Sequence, residues 1–248
     1  LGEPTRAPSG VALAGGAVGR RVWTEIVGEV VSLIRRGEVS KVVLARDLRV
    51  EADEPIDLRH LLARLIDRYP MTWTYLIDGM VGATPELLLR RQGGLVTSRV
   101  LAGTVWHDPK GSDPLLLAAE LARSSKDSAE HEFAVESVAH ALAPYCAAMN
   151  VPEAPSVLKL PNVMHLASDV TGVLNGETSS LALAGRLHPS AAVCGTPTAE
   201  ALAAIADLEN LDRGRYAGPV GWVDAHGDGE WAIALRCGQL AEDPHEIT

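Results

Sequence analysis

Three short apolar runs follow one another: "MTWTYLID", "PELLLRR" and "GLVTSR". The pairs "DG" at 78–79 and "GG" at 93–94 are the turn signals among them. Asp-Gly and Gly-Gly are the residues that supply positive φ in two-residue hairpins, so the runs read as consecutive strands. "SVLKLPNVMHLASDVTGVL" alternates and is strand-like. The end reads as a hairpin, with "AGPVGWVDA" and "EWAIALRCGQL" around "HGDG". A chain with hairpin signals in its first half and again near its end needs an antiparallel sheet.

Helical patterns are interspersed. In "VWTEIVGEVVSLIRRG", Trp23, Ile26, Val27, Val30, Leu33 and Ile34 share a stripe, and Gly37 after two arginines is a helix stop. "DLRHLLARLIDRY" starts at an Asp57 cap and turns Leu58, Leu61, Leu62, Leu65 and Ile66 inward. Asp113 and Pro114 suit an N-cap and first turn. "DSAEHEFAVESVAHALAPYC", "SSLALAGRL" and "TAEALAAIADLE" complete the set. Strands and helices mix without a regular βαβ repeat, so the fold class is α+β, an antiparallel sheet with helices on its outer faces.

At 248 residues and 47% hydrophobic, the chain can bury a core. Apolar runs are short or broken by charge, so no transmembrane helix is expected. The N-terminus lacks a signal-peptide pattern and starts without Met. Residues 1–19, rich in Gly, Ala and Pro, read as a loose segment, and 20–248 as one domain. "GGAVGR" at 15–20 precedes a helix but follows no strand, so it is a poor phosphate loop. Three dispersed cysteines fit a reducing cytoplasm. A net charge of -10 speaks against nucleic acid and anionic membranes as partners. A small anionic ligand would need a local cation.

"SKVVLARDLRV" (40–50) reads as a strand with Lys41 leading an apolar face. That lysine either snorkels to water or is desolvated to act as a base. Glu86 in "GATPELLLRR" is an exposed strand residue or a general acid in an apolar setting. Glu130 falls with 134, 137, 138 and 141 on a helix stripe. It either closes a capping box with Asp127 or offers an inward oxygen to Mg²⁺. Arg236 shares a strand face with Glu230, Ala232 and Ala234, as a surface ion pair or as a fork for a carboxylate. His165 is a core histidine or a pocket residue. Tyr216 is core or pocket wall, and the pattern does not choose. The "GTP" loop at 195–197, ahead of a helix, can present backbone N–H groups to an anion.

Eight motifs stand in order: "KVVLAR", "GATPELLLRR", "LAGT", "SSKDSAEHEF", "MHLASDVTG", "LHPSAAVCGTPT", "LDRGRYAGPVGWVD" and "GDGEWAIALRC". From about residue 22 to 240 the chain resembles the chorismate-utilising enzymes, and within them the isochorismate synthases. The resemblance implies a two-layered antiparallel β-sandwich flanked by helices, with its active site in a cleft between sheets, as a catalytic domain over 20–248. It implies Lys41 as the base that activates water for C2 of chorismate and Glu86 as the acid for the departing C4 hydroxyl. Glu130 matches a carboxylate holding Mg²⁺. Gly103, His165, Ala192, Tyr216, Leu235 and Arg236 match substrate-binding positions, Tyr216 and Arg236 near the enolpyruvyl carboxylate.

Within the family, Lys41 speaks against anthranilate synthesis, where glutamine is usual. Ala192 favours isochorismate synthesis over salicylate synthesis, where Thr is usual. The expected protein is a cytoplasmic monomer without a glutaminase subunit, serving siderophore, menaquinone or salicylate formation. A non-catalytic chorismate-binding fragment is the reading from another class, because the chain ends at "AEDPHEIT". The family continues there with a Gly-rich segment and a helix carrying a second Mg²⁺ carboxylate.

Overall fold

The computed structural model describes residues 4–106 and 113–248. The first three residues of the expected loose segment lie outside that range. Among the described residues there are six α-helices: Arg20–Arg35 (α1), Leu58–Arg68 (α2), Pro114–Arg123 (α3), Ser125–Leu142 (α4), Ser180–Leu187 (α5) and Thr198–Leu208 (α6). Every strand pairing among the described residues is antiparallel. The α+β reading therefore holds. The chain divides into two compact units. Unit 1 comprises Leu1–Thr84, Val193–Ala217 and Ala234–Thr248, and unit 2 comprises Pro85–Ala192 and Gly218–Ile233.

In unit 1, Met80–Thr84 lies between Trp73–Ile77 and Cys237–Gln239, and all five of its residues are buried. Asp78 and Gly79 close the first hairpin with φ of 47° and 80°, the left-handed pair that the "DG" signal demands. A second sheet joins Ala12–Ala14, Arg49–Glu51 and Glu246–Ile247. The segment that reads as loose thus carries a strand. Its Ala17 N–H also donates to both Asp47 oxygens at 2.9 Å. Only Ile26 and Val30 of the α1 stripe are fully buried. In α2 the Asp57 cap forms, its side chain accepting from the Arg59 N–H, but no residue is fully buried and Ile66 is exposed.

Residues 40–50 are not one strand. Lys41–Val42 pairs with Gly195–Thr196, Arg49–Glu51 pairs elsewhere, and 43–48 leave the ladder. Side chains replace the ladder there: Ala45 N–H donates to Glu209 Oε2 at 2.7 Å, and Val43 O accepts from Arg213 at 2.8 Å.

Unit 2 is a seven-stranded sheet. Its order is Pro219–Val223, Gly229–Ile233, Leu87–Gln92, Leu95–Trp106, Val163–Leu174 and Cys146–Asn150, with Ser156–Lys159 also on Val163–Leu174. Gly93 and Gly94 close the central hairpin with φ of 56° and 82°. Leu89, Val96, Leu166 and Val170 are wholly buried, and so are Leu142 of α4 and Leu183 of α5. Each such side chain contributes about 1.5–3 kcal/mol relative to exposure. At the Pro219–Val223 hairpin, Arg91 bonds Asp228 and the His226 carbonyl, which fixes the turn.

Candidate active site

The candidate residues fall on both units. Lys41, Tyr216, Leu235 and Arg236 belong to unit 1, and Glu86, Gly103, Glu130, His165 and Ala192 to unit 2.

In unit 1, Lys41 is half-buried, and its two-residue strand is held at both ends. Ser40 N–H donates to Thr196 O, and Val43 N–H donates to Cys194 O, both at 2.7 Å. Tyr216, Leu235 and Arg236 are brought together by the Ala217 N–H, which donates to Ala234 O at 2.9 Å. Two non-glycine residues here are left-handed, Ala217 at φ 64° and Arg236 at φ 50°. Such backbone costs of order 1–3 kcal/mol per residue. Tyr75 Oη donates to Leu235 O at 3.3 Å, and burial pushes the phenol's pKa up, so it stays a donor.

Arg236 departs from its expected setting. The strand Gly229–Ile233 ends before it, a register shift falls between Trp231 and Ala232, and Arg236 is exposed. The period-2 argument linking it to Glu230 and Ala232 fails at that break. Glu230 instead pairs with Arg90. A cavity of about 440 Å³ in unit 1 is lined by Arg46, Asp47, Arg213, Arg215, Tyr216 and Gln239, among others; Lys41 and Arg236 are not on its wall.

In unit 2, Gly103 is the extra residue of a bulge. Thr104 pairs with His165 and Ala102 with Leu166, which leaves Gly103 between them at φ 74°. A Cβ there would meet Asp127 Cβ at 3.0 Å, so the bulge lets the start of α4 approach the strand. His165 is buried, with Nδ1 3.0 Å from Thr104 Oγ1. Glu86 is half-buried between two strands, and its carbonyl accepts from the Ile233 N–H at 3.0 Å. Glu86 and Ala192 line one cavity with Arg99, but at about 30 Å³ it holds a water and no more.

Helix α4 corrects two expectations. Its cap is Ser124, whose hydroxyl is accepted by Asp127 while accepting from the Asp127 N–H, so the box is Ser124–Asp127 and not Asp127–Glu130. Its buried face is His131, Ala134, Val135, Val138 and Leu142, one position round from the expected stripe, with Ser137 exposed. Pattern reading counts histidine as polar. Here burial holds His131 below its ordinary pKa, and its neutral ring lies 2.8 Å from Ser168 Oγ. Glu130 flanks this face half-buried.

Among the described residues no three His, Cys, Asp or Glu side chains gather as a metal cage. Mg²⁺ does not require one: it keeps several waters and takes one or two carboxylates plus substrate oxygens. Glu130 fits that mode as a single protein ligand.

Sequence reading missed the pair of buried Glu209 and half-buried Arg213, with Arg213 Nε on Glu209 Oε1 at 2.6 Å. Opposite charges at i, i+4 leaving α6 were the available signal.

The family model described as chorismate binding enzyme matches residues 5–247. The chain belongs to that family. Isochorismate synthase DhbC of Bacillus subtilis is 41% identical over 224 residues, 84% of this chain and 56% of its own length. The menaquinone-specific isochorismate synthase MenF from Escherichia coli superposes with a TM-score of 0.89 at 25% identity, over 99% of this chain and 57% of that one. Anthranilate synthase component I from Streptococcus pneumoniae gives 0.83 at 26%, over 97% and 53%. The chain spans little more than half the length of these relatives. Their shared fold serves differently named activities, so the fold alone does not choose the reaction.

Proposed function

We propose that the protein containing this chain interconverts chorismate and isochorismate. The observation that carries the reading is the 41% identity to an isochorismate synthase over most of the chain, with a half-buried lysine at 41. Lys41 takes a proton from the water that attacks C2. Glu86 gives a proton to the C4 hydroxyl, which leaves as water. One hydroxyl replaces another, so the reaction is close to balanced and runs both ways. By resemblance, Arg236 and Tyr216 receive the enolpyruvyl carboxylate, and Leu235, Gly103, His165 and Ala192 are further substrate-binding positions. Glu130 would hold Mg²⁺, whose charge offsets the ring carboxylate. With water as nucleophile no glutaminase subunit is required, and we propose a cytoplasmic monomer.

The test is product analysis. The purified natural protein, given chorismate and Mg²⁺ at neutral pH, should yield a chorismate–isochorismate mixture by chromatography with mass detection. Lys41→Ala should lower turnover by about 10³-fold, the scale of a lost general base. Salicylate with pyruvate as the product would overturn the reading, as would chorismate bound but unchanged.

A further inference from the structure

Glu209 is wholly buried. Both its oxygens are used: Oε1 accepts from Arg213 Nε at 2.6 Å, and Oε2 accepts from Arg213 Nη2 at 2.6 Å and from the Ala45 N–H at 2.7 Å. The guanidinium reaches further. Nη1 donates to Val193 O at 2.9 Å, and Nη2 donates to Val43 O at 2.8 Å. One ion pair thus ties the end of α6 to residues 43–45 and to Val193, all within unit 1. Val193 precedes the Cys194–Thr196 stretch whose carbonyls hold Val43 and Ser40, the neighbours that bracket Lys41.

An ion pair built on a buried carboxylate is a poor source of net stability, because desolvation offsets the attraction. What it supplies here is geometry. Two carbonyls and one N–H that leave the ladder at 43–45 and 193 find partners that an apolar pair would not offer.

We propose that Glu209 and Arg213 are positioning residues for Lys41. They fix the backbone from 41 to 45, and with it the direction in which the Lys41 amine is presented. The proposal deepens the isochorismate synthase reading and rests on it.

The decisive variant is Arg213→Lys. Lysine keeps the charge beside Glu209 but has no planar fork to reach Val43 O and Val193 O together. The expected protein is folded, with kcat at least tenfold down and KM within threefold, and with the Val43 and Ala45 amides exchanging at least tenfold faster while α1 amides do not change. Glu209→Asp, with the charge kept and the reach shortened, should fall between wild type and Arg213→Lys. The double variant Glu209→Gln/Arg213→Met, which buries no lone charge, should lose kcat without recovering it. Unchanged kcat in Arg213→Lys or in the double variant would overturn the proposal. So would loss of folding in Arg213→Lys, which would make the pair a condition of the fold and not of Lys41 placement. If wild type shows no turnover, the function reading fails separately, and amide exchange at 43 and 45 still decides whether the pair holds this backbone.

Discussion

Gly195 shows how much a single missing atom fixes near Lys41. Its φ of 150° lies where side chains are rare, and a Cβ there would overlap the Lys41 carbonyl and crowd Ala201. The two-residue ladder between Lys41–Val42 and Gly195–Thr196 exists only because nothing stands between the backbones. Gly195→Ala must push the strands apart or distort α6. We expect a stability loss of about 1–3 kcal/mol, the usual cost of overpacking, seen as a lower urea midpoint. We also expect kcat to fall further than the folded fraction, since Lys41 is the residue displaced. An Ala variant with wild-type midpoint and wild-type turnover would show that the close approach is dispensable.

At the scale of elements, α4 separates a cap from a candidate ligand. Ser124 and Asp127 satisfy the helix start. Ser124→Ala should therefore cost about 1 kcal/mol, read from the urea midpoint, with the Mg²⁺ requirement unaltered. Glu130→Gln should do the reverse, leaving the midpoint in place and raising the Mg²⁺ concentration for half-maximal turnover. The opposite pattern would return Glu130 to the capping role. The contrast also shows what was legible in the sequence. Hairpins at 78–79 and 93–94 were legible because turn chemistry is local: the residues that need positive φ announce it. The Asp57 and Asp113 caps were legible for the same reason. The α4 face was misread by one position because burial of a neutral histidine depends on Ser168, remote in sequence. The setting of Arg236 was hidden because Ala217 and Arg236 adopt left-handed backbone without being glycine, and period-2 reasoning carries no warning of such a break. The strand around Lys41 was overextended because the groups that satisfy 43–45 come from residue 209 and beyond.

At the scale of the whole molecule, the titratable groups that folding shifts define a pH window. Burial holds His131 and His188 below their ordinary 6.5. The unfolded chain takes up protons there that the folded chain refuses, so stability falls as pH drops through 6.5. The carboxylates act lower. Hydrogen bonds from Arg99 to Asp169, and from Arg59 to Asp57, hold those groups below their ordinary 3.8, and the stability they contribute is lost only as pH falls past that value. On the alkaline side burial raises Cys194 and Cys237 above 9.0 and Tyr75 above 10.0. Those groups stay protonated in the folded chain while the unfolded chain ionises, so stability falls again as pH rises through these values. His131 and His188, both in unit 2, therefore contribute acid loss above the carboxylate range. Urea midpoints from about pH 8 to about pH 5 should decline in wild type. They should decline less steeply in His131→Gln/His188→Gln, whatever the absolute stability of that variant, because the slope and not the height reports proton uptake. An equal slope in the double variant would place the acid sensitivity elsewhere in the chain.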